Sequence, residues 1–184
     1  MLIDESGLLM APLLRRTWAP RGQRPTLLQQ GAHRQKVSLC AALWLSANRQ
    51  RLGLFCQSLI NGYFDNVRVA AFLEALLAKL KAQRLIVLWD GGPMHQGEPI
   101  RALLAKHAGR LCLERLPAYA PMLNPVEPLW SWLKYGQLCN FAPHDALELN
   151  TRIATELRAI QRNQRRLQNL FHASQLPLPR ALLT

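Results

Sequence analysis

Two short apolar runs flank a segment of helical period, and this pattern constrains the fold more than any other part of the chain. The first, Leu85–Trp89, is rich in strand formers and ends in Asp90, followed by the turn residues Gly91, Gly92 and Pro93. Ile100, Leu103, Leu104 and His107 then recur at helical spacing, Gly109 supplies a stop, and residues 111–116 form the second run. Strand, helix, strand implies a parallel pair joined by a right-handed crossover. Ligands of open α/β sheets gather beyond the carboxyl ends of such strands, and that is where Asp90 stands. Taken alone, an Asp before Gly-Gly is more often a turn residue than a ligand.

The stretch that follows, LPAYAPMLNPVEPLWSWLK, has its own logic. Asn124 can cap a helix and Pro125 suits its first position, which places Glu127 in the first turn, in the favourable field of the amino-terminal end. Pro128 complicates the register, because deeper in a helix it removes a backbone bond, so a start near Glu127 itself is the other option. Trp130 and Lys134 fall on the same side as Glu127. By itself Glu127 reads as a capping glutamate.

Upstream, residues 1–3 read as a short strand, Asp4-Glu5-Ser6-Gly7 as a tight turn, and residues 8–17 as a second strand. Residues 37–45 and 52–59 are β-leaning runs joined through a polar hairpin segment, and with the opening strands they make an antiparallel set of about three. Asp65 or Asn66 can cap a helix reaching about Gln83. Pro143-His144-Asp145 opens one long helix to about Phe171, and the tail from Gln175 looks loosely attached. The expected organisation is one α/β domain over residues 1–174 with a tail at 175–184.

Charge narrows the partners. Lys and Arg number 23 against 11 Asp and Glu, a net charge of +12, which points to a polyanion, nucleic acid before membrane. Candidate phosphate contacts are Arg15, Arg16, Arg21 and Arg24 in and before a turn-rich loop, Arg34 and Lys36 beyond it, Lys134, and Arg158, Arg162 and Arg165 on the long helix. For each of these, a solvated face is the competing reading. The 4 cysteines lie far apart with no CxxC pair, so buried free thiols are expected rather than a zinc knuckle or disulfides. With Asp4 and Glu5 ahead of any basic residue, no cleavage site and no apolar run near the ~18 residues of a membrane span, a cytoplasmic location is expected, at the nucleoid if the source is bacterial.

IDESG at the start, TWAPRGQRP, LIVLWDGGPMH and above all LPAYAPMLNPVEPLWSWLK together resemble the catalytic domain of mariner-superfamily transposases, in particular the bacterial insertion-sequence branch of DDE superfamily endonucleases. The resemblance covers nearly the whole chain, and its last motif is highly specific through Tyr119, Pro121, Leu123, Asn124, Pro125, Glu127, Trp130 and Lys134. It implies a ribonuclease H-like α/β fold, with a mixed central sheet of three antiparallel strands followed by parallel ones, flanked by helices. Asp4, Asp90 and Glu127 would then be the catalytic acids and metal ligands, a convergence that requires the first strand to lie beside the Asp90 strand. His95 matches a histidine common in the family, with a role near the DNA backbone or active site and a structural role both open.

The implied cofactor is Mg²⁺, with Mn²⁺ substituting, two ions per site, since hard cations prefer oxygen ligands and a pair about 3.5–4 Å apart suits in-line phosphoryl displacement. The implied partners are transposon-end and target DNA, bound by a homodimer; the reaction is end cleavage, then attack of the freed 3′-hydroxyl on target DNA. Two departures stand out: Gly-Gly follows Asp90 where the family often has Asn, and the family's amino-terminal helix-turn-helix region is missing. The expectation is therefore a chain working with a separate helix-turn-helix product, or else a truncated, inactive DNA-binding remnant whose first strand is too short.

Overall fold

The first strand is the one on which the sheet is built. In the computed structural model, which describes residues 1–28, 35–48, 50–80 and 84–176, β1 (Leu2–Leu9) occupies the middle of a five-stranded sheet. Antiparallel β2 (Lys36–Leu45) and β3 (Leu52–Ile60) extend it on one side, and parallel β4 (Leu85–Trp89) and β5 (Leu111–Arg115) on the other, in the order β3-β2-β1-β4-β5. This is the ribonuclease H-like arrangement expected from the sequence, with β1 beside β4.

Helices α1 (Asn66–Lys79) and α2 (Glu98–Lys106) cover one face, where Val69, Phe72, Leu73, Leu76, Ile100 and Leu103 pack on Ile3, Val87 and Trp89. The other face carries α3 (Val126–Trp132), α4 (Ala146–Gln161) and α5 (Gln164–His172), whose Leu129, Ile153, Leu157 and Leu167 meet Leu2, Leu8, Leu39 and Leu43. Side chains alternate between the faces of a strand. Leu2 lies in the core under α3 and Ile3 in the opposite one, so Asp4 belongs to the α3 side and Glu5 to the α1 side.

Several expectations are corrected. Asp4-Glu5-Ser6-Gly7 is not a turn, because β1 runs through it and pairs with β2 along its whole length, from Leu2 opposite Leu43 to Leu9 opposite Lys36. Strand neighbours on both sides override weak local propensity there. The strand expected at 8–17 shrinks to the last residues of β1; beyond it an exposed arm is tied down by a bridge between Leu13 and Cys139.

The long carboxy-terminal helix is two helices, broken at Arg162-Asn163, where the Asn163 side chain accepts from the Arg166 N–H and caps α5. One apolar stripe serves both, so periodicity could not reveal the break. Tyr135 and Gly136 do not end α3 either: residues Leu133–Gln137 continue it as a π-helical turn, with the Leu138 N–H bonded to the Leu133 carbonyl at 2.9 Å. At the tail, the Gln175 N–H reaches the Met122 carbonyl and Leu176 packs on the core, while residues 177–184 lie outside those described. The cysteines are free, but Cys112 is exposed rather than buried. No helix among the described residues is long and apolar enough to cross a membrane.

Candidate active site

Strand register brings the first two acids together. Leu2 pairs with Leu88 in the parallel β1–β4 ladder, so two residues further on Asp4 comes beside Asp90 on the same face. There the strands part: β1 continues along β2 while the chain leaves β4 after Trp89, whose carbonyl still accepts from the Leu116 N–H. The gap is a cleft of about 440 Å³ lined by Asp4, Asp90, Gly91, Gly92, the 116–121 segment, Asn124 and Glu127. The three acids expected to act together therefore share one cleft, at the carboxyl end of β4.

Each acid is held differently. Asp4 is 9% exposed, and its Oδ2 accepts a 2.7 Å bond from Trp130 Nε1. Burial drives its carboxyl up from 3.8 to about 7; the Trp130 bond pulls the other way, while the charges of Glu127, Glu5 and Asp90 push it up further. Asp90 is exposed, and its Oδ1 accepts from the Gly92 N–H and lies against His95 Nδ1, both at 2.9 Å. A side chain at Gly92 would begin 2.6 Å from Met94 Sδ and 3.0 Å from that same Oδ1, so the second glycine of Gly-Gly permits the close turn. Glu127 is exposed in the first turn of α3, which begins at Val126 with Pro125 at its cap, so the register with Asn124 as cap and Pro125 as first helical residue is corrected by one position. Asn124, read as a cap, does more: it is 4% exposed, takes the Val126 N–H on its Oδ1 and donates its Nδ2 to the Ile3 carbonyl, fastening α3 to β1 next to Asp4.

The sequence profile of the DDE superfamily endonucleases matches residues 1–148. The chain belongs to this family. Among solved structures it is similar to the Mos1 transposase paired-end complex with left transposon end, at 19% identity and a TM-score of 0.67 over 99% of this chain and 52% of that one. The Mos1 mariner paired end complex with Mg matches at 21% identity and 0.64, covering 94% and 52%. A simian T-cell lymphotropic virus intasome in complex with PP2A regulatory subunit B56 gamma matches at 17% and 0.52, covering 89% and 63%. These likenesses are of fold, and the chain spans about half the length of the Mos1 chains it matches. No curated protein matches significantly.

Two residues of this DDE endonuclease's site escaped sequence reasoning. Trp130, noted for lying on the Glu127 side and for matching the family motif but given no role, is the hydrogen-bond donor to Asp4. Glu5, read as part of a turn, faces the opposite side of the sheet, where its carboxylate meets His95 Nε2 at 3.2 Å. His95 is 5% exposed, with Nδ1 also 2.9 Å from the Asp90 carbonyl, and its ring stacks on Trp89 at 4.3 Å. Burial alone would lower its pKa, but the bond and charge of Glu5, together with Asp90, outweigh it and hold the ring above its ordinary value.

Among the described residues, none of the arginines or lysines read as phosphate contacts lines the acid cleft. Arg15 donates to the Tyr135 carbonyl at 2.7 Å, Lys134 lines a separate groove beside Leu8 and Leu9, and Lys36 Nζ lies 4.5 Å over the Tyr63 ring. Arg16, Arg21 and Arg24 are exposed on the arm, and Arg158, Arg162 and Arg165 on α4, α5 and the break between them. Arg34 lies outside the described residues. Among the described residues no three His, Cys, Asp or Glu side chains stand close enough to hold one ion together.

Proposed function

We propose that this DDE endonuclease cleaves DNA at transposon ends and transfers the freed 3′-hydroxyl into target DNA, using divalent cations held by Asp4, Asp90 and Glu127. The observation that carries this reading is the convergence of the three acids in one cleft, with the most buried of them raised to about 7 by burial and by the other carboxylates. An all-oxygen donor set suits a hard cation, and the crowding of negative charge around Asp4 is what a bound cation would relieve. A pair of such ions supplies activation of the attacking oxygen and stabilisation of the leaving one.

The chain's own residues prepare the site. Trp130 fixes one oxygen of Asp4, Gly92 and His95 fix one oxygen of Asp90, and Glu127 is the exposed acid lining the same cleft. A nucleic-acid partner is what the net charge of +12 favours, with Arg16, Arg21 and Arg24 on an exposed arm to meet phosphates. Paired action by two copies and end recognition by a separate helix-turn-helix product belong to the same reading. A first strand too short to hold Asp4 would favour an inactive DNA-binding remnant; β1 spans 8 residues and removes that support.

Incubating the chain with supplied transposon-end and target oligonucleotides plus Mg²⁺ or Mn²⁺ tests the reading. Nicked and joined products that vanish in Asp90→Ala and Glu127→Ala are expected. DNA binding with no cleavage, or cleavage indifferent to both substitutions, sinks it.

A further inference from the structure

Outside the three acids, the side chains with the most specific unexplained geometry are Glu5 and His95. His95 is nearly sealed, with a side chain 2% exposed, and Glu5 is 14% exposed beneath it. The ring is fixed in every direction. Trp89 stacks on its face with an interplanar angle of 7°, its Nε2 lies 3.3 and 3.2 Å from the two Glu5 oxygens, and its Nδ1 lies 2.9 Å from both the carbonyl and Oδ1 of Asp90. Both ring nitrogens face oxygens, Nε2 toward Glu5 and Nδ1 toward Asp90. Cys40 Sγ adds a weak bond to Glu5 Oε1 at 3.6 Å, from the strand on the other side of β1.

The arrangement links two acids that lie on opposite faces of the sheet. Glu5 is on the central strand, opposite Cys40 of β2, whereas Asp90 sits in an exposed loop that has just left β4. From the geometry we infer that Glu5 and His95 are positioning residues: Glu5 anchors the imidazole to β1, and the imidazole holds the Asp90 carboxylate and its loop at a fixed distance from Asp4. With Oδ1 held by His95 and Gly92, Oδ2 of Asp90 has no partner among the described residues and remains available to a cation. The inference rests on the proposed metal-dependent function, because it assigns to Asp90 the role of ligand.

Mn²⁺ binding, followed by electron paramagnetic resonance, tests it on wild type, Asp90→Ala, Glu5→Gln and His95→Gln, with melting and end cleavage measured in parallel. Outer partners of metal ligands affect affinity by about 10- to 100-fold. Glu5→Gln and His95→Gln are expected to weaken Mn²⁺ binding by about that factor, with cleavage recovering toward wild type at high Mn²⁺. Glu5→Gln, which keeps size and one acceptor, is expected to leave the melting temperature nearly unchanged, so a folding defect in His95→Gln does not decide the matter. Unchanged Mn²⁺ affinity in Glu5→Gln, while Asp90→Ala abolishes binding, overturns the positioning role and leaves the metal site standing. Wild-type protein that binds no Mn²⁺, or binds it as well after Asp90→Ala, overturns both.

Discussion

Asp4 and Glu5 are neighbours in the chain and opposites in the structure. Asp4 points into the α3 face, nearly buried, with a tryptophan N–H on one oxygen and its pKa raised to about 7. Glu5 points through the other face to His95, a ring able to carry positive charge. A one-residue step along a strand reverses the face, and here it separates a carboxylate raised by burial from one paired with a histidine. Burying a charge costs stability unless it is paired, and Asp4 carries that cost.

The largest expected effect comes from removing that charge. Asp4→Asn should reduce cleavage by roughly a thousandfold, since cation stabilisation of the transition state is worth several kcal/mol. It should also stabilise the metal-free fold. A carboxyl whose pKa is raised on folding loses stability as pH climbs from its unfolded value, 3.8, to its folded one, about 7. Asp4→Asn should therefore be neutral near pH 3 and stabilising above pH 7, by on the order of 4 kcal/mol before screening. Urea unfolding across that range in chelator checks it; equal stability at both ends would mean Asp4 is not strained by its burial.

Trp130→Phe sharpens the same side of the comparison. It deletes the hydrogen bond that lowers the Asp4 pKa and leaves a buried acceptor without that donor, a loss of about 1–3 kcal/mol. Denaturation should show a larger loss at pH 8 than at pH 4, because the ionised carboxylate has more to lose. On the other side, Gly92→Ala pushes a methyl group against Asp90 Oδ1 and Met94 Sδ. It should lower cleavage at limiting Mn²⁺ by about tenfold, as for other disturbed ligand surroundings, with little change in melting. The smallest effect is expected at Glu74 on α1, which pairs with Lys106 and His107 at 2.8 and 2.9 Å, away from the cleft. Glu74→Gln should cost at most about 0.5 kcal/mol and leave cleavage untouched; a cleavage defect as large as that of Glu5→Gln would mean that the α1 side acts only through general stability.

Much of this was legible in the chain. Asp90 after an apolar run and Glu127 after Asn-Pro are local signals, readable because strand ends and helix starts use a small vocabulary of residues. The caps at Asp65 and Asp145 are of the same kind, each accepting an N–H three residues on. The opening strand was misread for the complementary reason: Asp-Glu-Ser-Gly has turn chemistry, and only the ladders to β2 and β4 make it a strand. The break at Asn163 was hidden because the apolar stripe of α4 continues in α5.

The sequence by itself determined which acids to compare, the crossover that puts a carboxylate at the end of β4, and the basic character that points to nucleic acid. The acids were singled out by the resemblance of their motifs to the DDE family, since alone Asp90 reads as a turn residue and Glu127 as a cap. The crossover follows from periodicity and turn residues and the basic character from net charge, all local or additive. Only the tertiary structure decided which face each residue of β1 serves, that Trp130 reaches Asp4, and that Glu5 reaches Asp90 through His95. Those contacts join residues 126 and 90 positions apart, and they depend on strand register and on the parting of β1 from β4.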